Sequence, residues 1–193
     1  MTSLVAFTVL VGLVGLERLA ELVVSKRNAA WSLERGGRET GQGHFPAMVL
    51  LHTGLLVGAL VEAWVRQPDV PSALAWSMLA VVVLTQGLRW WCIATLGRRW
   101  NTRVIVVPGL PPVTGGPYRF LSHPNYVAVV LEGIALPLVH AAWVTSLVFT
   151  VLNAALLTVR IRTENAALAT LPPPTDSATD KPTEPSTGRP VDA

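Results

Sequence analysis

The chain reads as an all-α integral membrane protein with about five transmembrane helices. The last two are expected to form a helical hairpin whose first arm, the fourth helix, is short, and a small β-hairpin-like connector is expected on the cytoplasmic side. Three observations carry this reading. The 193 residues have a mean hydropathy of +0.46 and only 14% are charged, which is too apolar for an ordinary soluble domain. Three apolar stretches, roughly Leu4–Val24, Phe45–Val65 and Ala73–Leu96, each approach the length of about 20 residues that a helix needs to cross a bilayer. A fourth apolar region, from Pro124 to about Val159, is longer than one crossing requires and is divided by Pro137.

The division sets the last two elements. Pro137 leaves a piece of about 13 residues and one of about 20, and at about 1.5 Å per residue the shorter covers about 20 Å of a hydrocarbon core about 30 Å thick. A turn is therefore expected near Pro137–Ala142. Residues 1–171 form one membrane domain in this reading. From Pro172 onward the sequence is rich in Pro, Thr, Ser, Asp and Lys with no apolar period, which is the composition of a disordered tail.

Charge sets the expected orientation. Lys26, Arg27, Arg35 and Arg38 follow the first apolar stretch, Arg98, Arg99, Arg103 and Arg119 follow the third, and Arg160 and Arg162 close the last. The second connection has only Arg66, offset by Asp69, and the hairpin turn has only His140. By the positive-inside rule the basic loops and the C-terminus are cytoplasmic and the N-terminus faces outward, as in a bacterial inner membrane. Trp64, Trp76 and Trp143 then fall at outer ends, and Trp31, Trp90, Trp91 and Trp100 at inner ones. The net charge of +3 follows from this topology and gives no reason to expect nucleic acid as a partner. No basic residue precedes the first apolar stretch, so a cleaved signal peptide is not expected.

Cys92 is the single cysteine and lies inside an apolar stretch, so no disulfide forms within the chain. His44, His52, His123 and His140 are not at metal-ligand spacing, and no metal site is expected. There is no internal repeat and no glycine-rich phosphate loop.

Charged residues at bilayer depth are costly and face a protein interior or a wet cavity. Glu17 and Glu21 share a helical face with Arg18 within reach of Glu21, either as an ion pair that pins the bundle or as a site for a polar headgroup. Glu132 lies about two turns inside the short helix, on the face of Asn125, with no basic neighbour in sequence. Such a carboxylate finds a partner on another helix or is held neutral. Asn153, Arg160 and Glu164 share a face of the last helix. Arg160 and Glu164 are either a helix-end pair or part of a site, and their closeness to the segment around His123 favours the site.

That segment, Gly116-Pro117-Tyr118-Arg119-Phe120-Leu121-Ser122-His123-Pro124-Asn125-Tyr126, is the most informative in the chain. Pro124 suits the first turn of a helix, where its missing N–H costs nothing. His123 and Asn125 then flank the free amides and partly positive end of that helix. Ahead of it, Asn101–Thr114 holds a β-branched run broken by Pro-Gly, which reads as a short hairpin that delivers Tyr118 and His123 to the membrane face.

The order Gly-Pro-Tyr-Arg, then His-Pro-Asn-Tyr, then the Arg160–Glu164 element resembles the isoprenylcysteine carboxyl methyltransferase family. Its bacterial branch acting on long-chain polyketide lipids, alkylpyrones and alkylresorcinols, is the nearer likeness. Glu17-Arg18-Leu19-Ala20-Glu21-Leu22, Ser25-Lys26-Arg27-Asn28, Gly43–Val49 and Asn101–Val106 look like the usual sequence of that branch. The resemblance covers about residues 10–170. It implies a five-helix membrane methyltransferase that takes S-adenosylmethionine at the cytoplasmic side of its carboxyl-terminal half, with the lipid entering sideways from the bilayer. By motif it assigns His123, Pro124, Asn125 and Tyr126 to the cofactor pocket, Tyr118 and Arg119 to its lip, and Glu164 to cofactor or acceptor contact. Ser122 stands where many members have arginine, and Asn165 where a second glutamate is common. Arg119 is the substitute cation for the methionine carboxylate.

Methyl transfer from a sulfonium needs alignment and exclusion of water. A phenol or enol acceptor also loses a proton. Glu132 and Glu164 are the candidate bases, Arg160 or Arg119 would hold the developing oxyanion, and Arg18, Glu21 and Arg27 are candidates for the acceptor headgroup. The expected function is O-methylation of a membrane-soluble phenolic or pyrone lipid, with a long-chain polyketide synthase as a partner that supplies it. Alternatives within the class are carboxyl methylation of a prenylcysteine and N-methylation of a phospholipid headgroup. Outside it stand a membrane reductase using NADPH and a non-catalytic membrane scaffold.

Overall fold

The computed structural model describes residues 2–171, so the tail expected after Leu171 lies outside the described residues. Five helices follow one another: α1 (Thr2–Leu33), α2 (Phe45–Arg66), α3 (Ser72–Leu96), α4 (Pro124–Leu138) and α5 (Trp143–Leu168). Two short strands, β1 (Arg38–Thr40) and β2 (Val104–Val106), lie in the α1–α2 and α3–α4 connections. Four helices, α1, α2, α3 and α5, are long and apolar enough to cross a membrane, and α4 is a shorter apolar helix.

Local chemistry explains most of the boundaries. Pro46 and Pro124 sit in first turns, where a missing N–H is tolerated. Pro71 precedes α3, and Gly97 ends it with φ 52, a left-handed conformation open to glycine. Pro137 occupies the last turn of α4, and the chain then reverses through Val139–Ala142 into α5. The Glu62 carboxylate of α2 closes that reversal. It accepts from the backbone N–H groups of Val144 at 3.1 Å and Thr145 at 2.8 Å and from the Thr145 hydroxyl at 2.8 Å, so the free amides at the start of α5 gain an anionic cap.

Two expectations are corrected here. Helix α1 does not stop near Val24 but continues to Leu33, because its polar stretch is tied down by partners outside the helix. Ser25 Oγ accepts from the Thr102 N–H at 2.9 Å, and Asn28 Nδ2 donates to the carbonyls of Trp100 at 2.7 Å and Gly97 at 3.2 Å. The connector after α3 is not a hairpin on itself. Its strand β2 pairs antiparallel with β1, placing Arg38 opposite Val106, Glu39 opposite Ile105 and Thr40 opposite Val104. The Pro-Gly break ends the strand but supplies no return arm, and the open edge is taken by the other connection.

Helix α4 is the buried centre. It packs against α3, α5 and α2, while α1 lies against α2. At the far end from the His123 segment the core consists of Leu4, Phe7, Val11 and Val14 of α1, Ala59 and Ala63 of α2, Val82 of α3, and Ala135 and Leu136 of α4. Small residues let these backbones approach closely. Gly133 of α4 leaves room for the Phe149 ring of α5, with which a Cβ would collide. The long helices turn Leu13, Leu16, Val57, Val61, Val83, Leu84, Leu147 and Val151 outward, and the bundle keeps Arg89, Glu132, Asn153 and Arg160 inside. Apolar outside and polar inside is the pattern a bilayer requires.

Candidate functional site

The N-terminal end of α4, the C-terminal end of α5 and the α3–α4 connection enclose a cavity of about 320 Å³. Its walls include Arg99, Arg103, Tyr118, Ser122, His123, Asn125, Tyr126, Arg160 and Glu164. Gly116 positions the approach to it. With φ 55 it brings backbone against α3, where a Cβ would collide with Thr95, and so seats the following turn. Tyr118 in that turn rests beside Cys92. Burial, and next the neighbouring Cys92, push its phenol well above the usual range, so Tyr118 remains a protonated donor.

The polar side of this cavity is a connected set. Arg160 Nε donates to the Tyr126 hydroxyl at 2.7 Å, and that hydroxyl donates to the Glu164 carboxylate. The His123 ring stacks on Tyr126 with centroids 5.2 Å apart. Its Nε2 lies 3.0 Å from Asn165 Oδ1 and its Nδ1 3.8 Å from Glu164 Oε1. Arg160 and Glu164 are thus joined through a tyrosine from another helix, rather than directly as an i,i+4 pair. Arg160 and Tyr126 are buried, whereas Glu164 stays partly open to the cavity.

A second cavity, of about 520 Å³, runs between α1 and α2 toward the same place. Its outer part is apolar, with Gly12, Leu16, Leu19, Val49, Leu56 and Val57, and its inner part includes Arg18, Glu21, His52 and Arg89. Trp100, Asn101, Asn125, Tyr126 and Arg160 line both cavities. A polar chamber and an apolar one therefore share a wall. A third, apolar groove of about 580 Å³ between α2 and α5 has no titratable lining residue.

Beside the second cavity lies a buried charge cluster drawn from α1, α3 and α4. Arg89 Nη2 is 2.5 Å from Glu132 Oε2, and Arg89 Nε is 3.8 Å from Glu21. Arg18 is 2.9 Å from Glu21, 3.3 Å from Glu17 and 3.9 Å from Glu132. Gln86 donates to Glu17. Each of the five charges has an opposite partner within 4 Å, which offsets part of the desolvation of burying them.

Among the expected site residues, Tyr118, His123, Asn125, Tyr126, Arg160 and Glu164 come together around the first cavity, and Arg18 and Glu21 line the second. Four expectations change. Glu132 lines neither cavity and is held by Arg89, so its geometry is that of a structural partner rather than a free base. Pro124 is fully buried behind the wall as the first residue of α4. Arg119 is exposed over the Phe120 ring, 5.5 Å from its centroid, and does not reach the cavity, where Arg99, Arg103 and Arg160 are the cations. Arg27 is exposed and lines neither cavity, because α1 turns the face of Ser25 inward.

Sequence reasoning missed Arg89, although it is the one charged residue in α3 and such a residue is itself a signal. It also placed Trp100 in an interfacial belt. Trp100 is 3% exposed and belongs to the shared wall.

Residues 78–170 match the family model described as the Isoprenylcysteine carboxyl methyltransferase (ICMT) family. The chain is 36% identical over 162 residues to "Uncharacterized protein YpbQ" of Bacillus subtilis (strain 168), covering 84% of this chain and 96% of that protein. It is 24% identical over 157 residues to an "Uncharacterized protein" of Haemophilus influenzae (strain ATCC 51907 / DSM 11121 / KW20 / Rd), covering 81% of this chain and 91% of that one. No solved structure matches.

Proposed function

We propose that this chain, which belongs to the isoprenylcysteine carboxyl methyltransferase family, is an S-adenosylmethionine-dependent O-methyltransferase of a membrane-soluble phenolic or pyrone lipid. Members of the family are membrane methyltransferases that use S-adenosylmethionine. The single observation that carries the reading is the wall shared by a polar and an apolar cavity at Asn125, Tyr126 and Arg160. Two reactants of opposite solubility can meet there without either leaving its own medium.

The polar cavity fits the cofactor by its donor set. Tyr118 offers an aromatic ring, Glu164 a carboxylate for hydroxyl or amine groups, and Arg99 and Arg103 positive charge for a carboxylate. Its size falls in the usual range for small-molecule sites. When bound there, S-adenosylmethionine supplies an electrophilic methyl group. The protein's own residues do the rest. Arg160 faces the acceptor oxygen from its buried position and favours its ionised form. Glu164 takes up the hydroxyl proton through the Tyr126 hydroxyl that connects it to the wall. The apolar chamber between α1 and α2 holds the chain of the lipid and excludes water from the reacting end.

In this reading the cavity end faces the cytoplasm, in accord with the basic connections there, and a long-chain polyketide synthase would supply the lipid. The test is calorimetric binding of S-adenosylhomocysteine to the detergent-purified protein, with NADPH as control, followed by radiolabelled methyl transfer to a long-chain hydroxypyrone and an alkylresorcinol. Binding of S-adenosylhomocysteine together with labelling of either lipid supports the proposal. Binding of NADPH alone would move the chain to reductase chemistry, and binding of neither would favour a scaffold.

A further inference from the structure

Three side chains in the shared wall carry a buried polar atom with no hydrogen-bond partner among the described residues. They are Trp100 Nε1, Asn101 Nδ2 and Asn125 Oδ1. An unsatisfied buried polar group costs about 1–3 kcal/mol, so three at one junction form an incomplete arrangement that a ligand would complete. Each of the three atoms is buried, so neither bulk water nor a ligand reaches it until the side chains of the wall shift apart.

The two donors are held in place by contacts behind them. Asn101 Oδ1 accepts from Ser25 Oγ at 3.2 Å, which fixes the orientation of the carboxamide and leaves its N–H₂ group free. The Trp100 carbonyl is held by Asn28 and the Thr102 N–H by Ser25. The motif Ser25–Asn28 of α1 thus acts by pinning residues 100–102 rather than by meeting a ligand itself. Asn125 sits in the first turn of α4, directly before the Tyr126 that receives Arg160.

We propose that Trp100, Asn101 and Asn125 are the recognition set for the acceptor head, an inference that rests on the methyltransferase reading and names the acceptor chemistry within it. The indole and carboxamide N–H groups donate to a carbonyl-type oxygen of the head. Asn125 Oδ1 accepts from the acceptor hydroxyl as it enters; the O–H then turns to the Tyr126 oxygen, which takes this proton as its own passes to Glu164. Two donors and one acceptor in the same wall suit an enol or phenol that carries a second oxygen acceptor. A carboxylate has no O–H to give and would set a negative oxygen against Asn125 Oδ1. A phospholipid amine headgroup would satisfy the two N–H groups with its phosphate oxygens and is separated from the enol or phenol by the assay. Sites built around such groups discriminate strongly against molecules that leave them unmatched.

The test uses the full chain in lipid-detergent micelles with a long-chain hydroxypyrone as acceptor. Trp100→Phe removes one N–H and keeps a ring. Asn101→Asp keeps the oxygen that Ser25 holds but removes the donor. Asn125→Ala touches no internal hydrogen bond and guards against misfolding. Each variant should raise KM for the hydroxypyrone by about tenfold or more, with S-adenosylhomocysteine affinity within about twofold of the parent. An unchanged KM would show that the three orphan atoms do not meet the acceptor. A parallel loss of S-adenosylhomocysteine affinity would assign them to the cofactor, and equal or faster methylation of S-farnesylcysteine by the parent would overturn the acceptor class. A parent that binds no S-adenosylhomocysteine removes the methyltransferase reading itself, and this inference with it.

Discussion

Two buried polar clusters among the described residues are built on different plans. In the Glu17–Arg18–Glu21–Arg89–Glu132 cluster every charge has an opposite charge within 4 Å, and the carboxylates and arginines come from three helices locked side by side. In the His123–Tyr126–Arg160–Glu164 cluster the charges are connected through one tyrosine hydroxyl, and Glu164 and His123 remain partly open to a cavity. The difference separates polarity that joins helices from polarity that receives a ligand. A closed cluster is costly to break because removing one member strands another in low dielectric. An open one can lose a member with less structural damage, since water or a ligand reaches what is left.

The contrast can be broken most sharply at Arg89. Arg89→Met leaves Glu132 buried beside only the more distant Arg18, and should lower stability by about 3–5 kcal/mol, read as a large drop in melting temperature in detergent. The double variant Arg89→Met, Glu132→Leu should recover much of that loss. A stable Arg89→Met protein that lacks only activity would mean that this cluster also works as a site.

Next in size are His123→Ala and Glu164→Ala. Each should weaken S-adenosylhomocysteine binding by at least about tenfold, or about 1.4 kcal/mol, while the protein remains folded and membrane-inserted. Normal affinity in both would remove them from the cofactor pocket. Tyr126→Phe keeps the stack on His123 but deletes the hydroxyl between Arg160 and Glu164. Leaving Arg160 Nε without its acceptor should cost about 1–3 kcal/mol of stability, seen as a lower melting temperature, and methyl transfer should slow as well. If transfer is unaffected, the proton does not travel through that hydroxyl.

Smaller effects sharpen the boundary between the two regions. Ser25→Ala should cost about 1 kcal/mol and loosen residues 100–102, so its signature is a raised acceptor KM with little change in cofactor affinity. Arg27→Ala should change stability by no more than about 0.5 kcal/mol and leave acceptor kinetics alone. A raised acceptor KM there would restore the headgroup role that its exposure argues against.

Much of the candidate site was legible because its residues sit close together in the chain. The run from Tyr118 to Tyr126 carries its own helix start at Pro124, and Arg160 and Glu164 are one turn apart on α5, so local spacing was enough to bring them forward as candidates. Arg119 and Arg27 stand apart from the two cavities, and the sequence hid this for a related reason. Spacing shows that a cation is near but not whether its side chain turns into a cavity or out over a neighbouring ring. The direction was set by the turn at Gly116 for one and by the inward face of Ser25 for the other.

The sequence by itself determined the apolar helices, the reversal near Pro137 and the motif that marks the cavity end, because hydropathy, proline and glycine act through a residue's immediate neighbours. Only the tertiary structure decided that β2 pairs with β1 from another connection, that Glu132 belongs to Arg89, and that Trp100, Asn101 and Asn125 meet in one wall. These are pairings between residues far apart in the chain. They depend on which helices pack together and at what rotation, and a buried charge or strand edge takes whichever partner that packing places within reach.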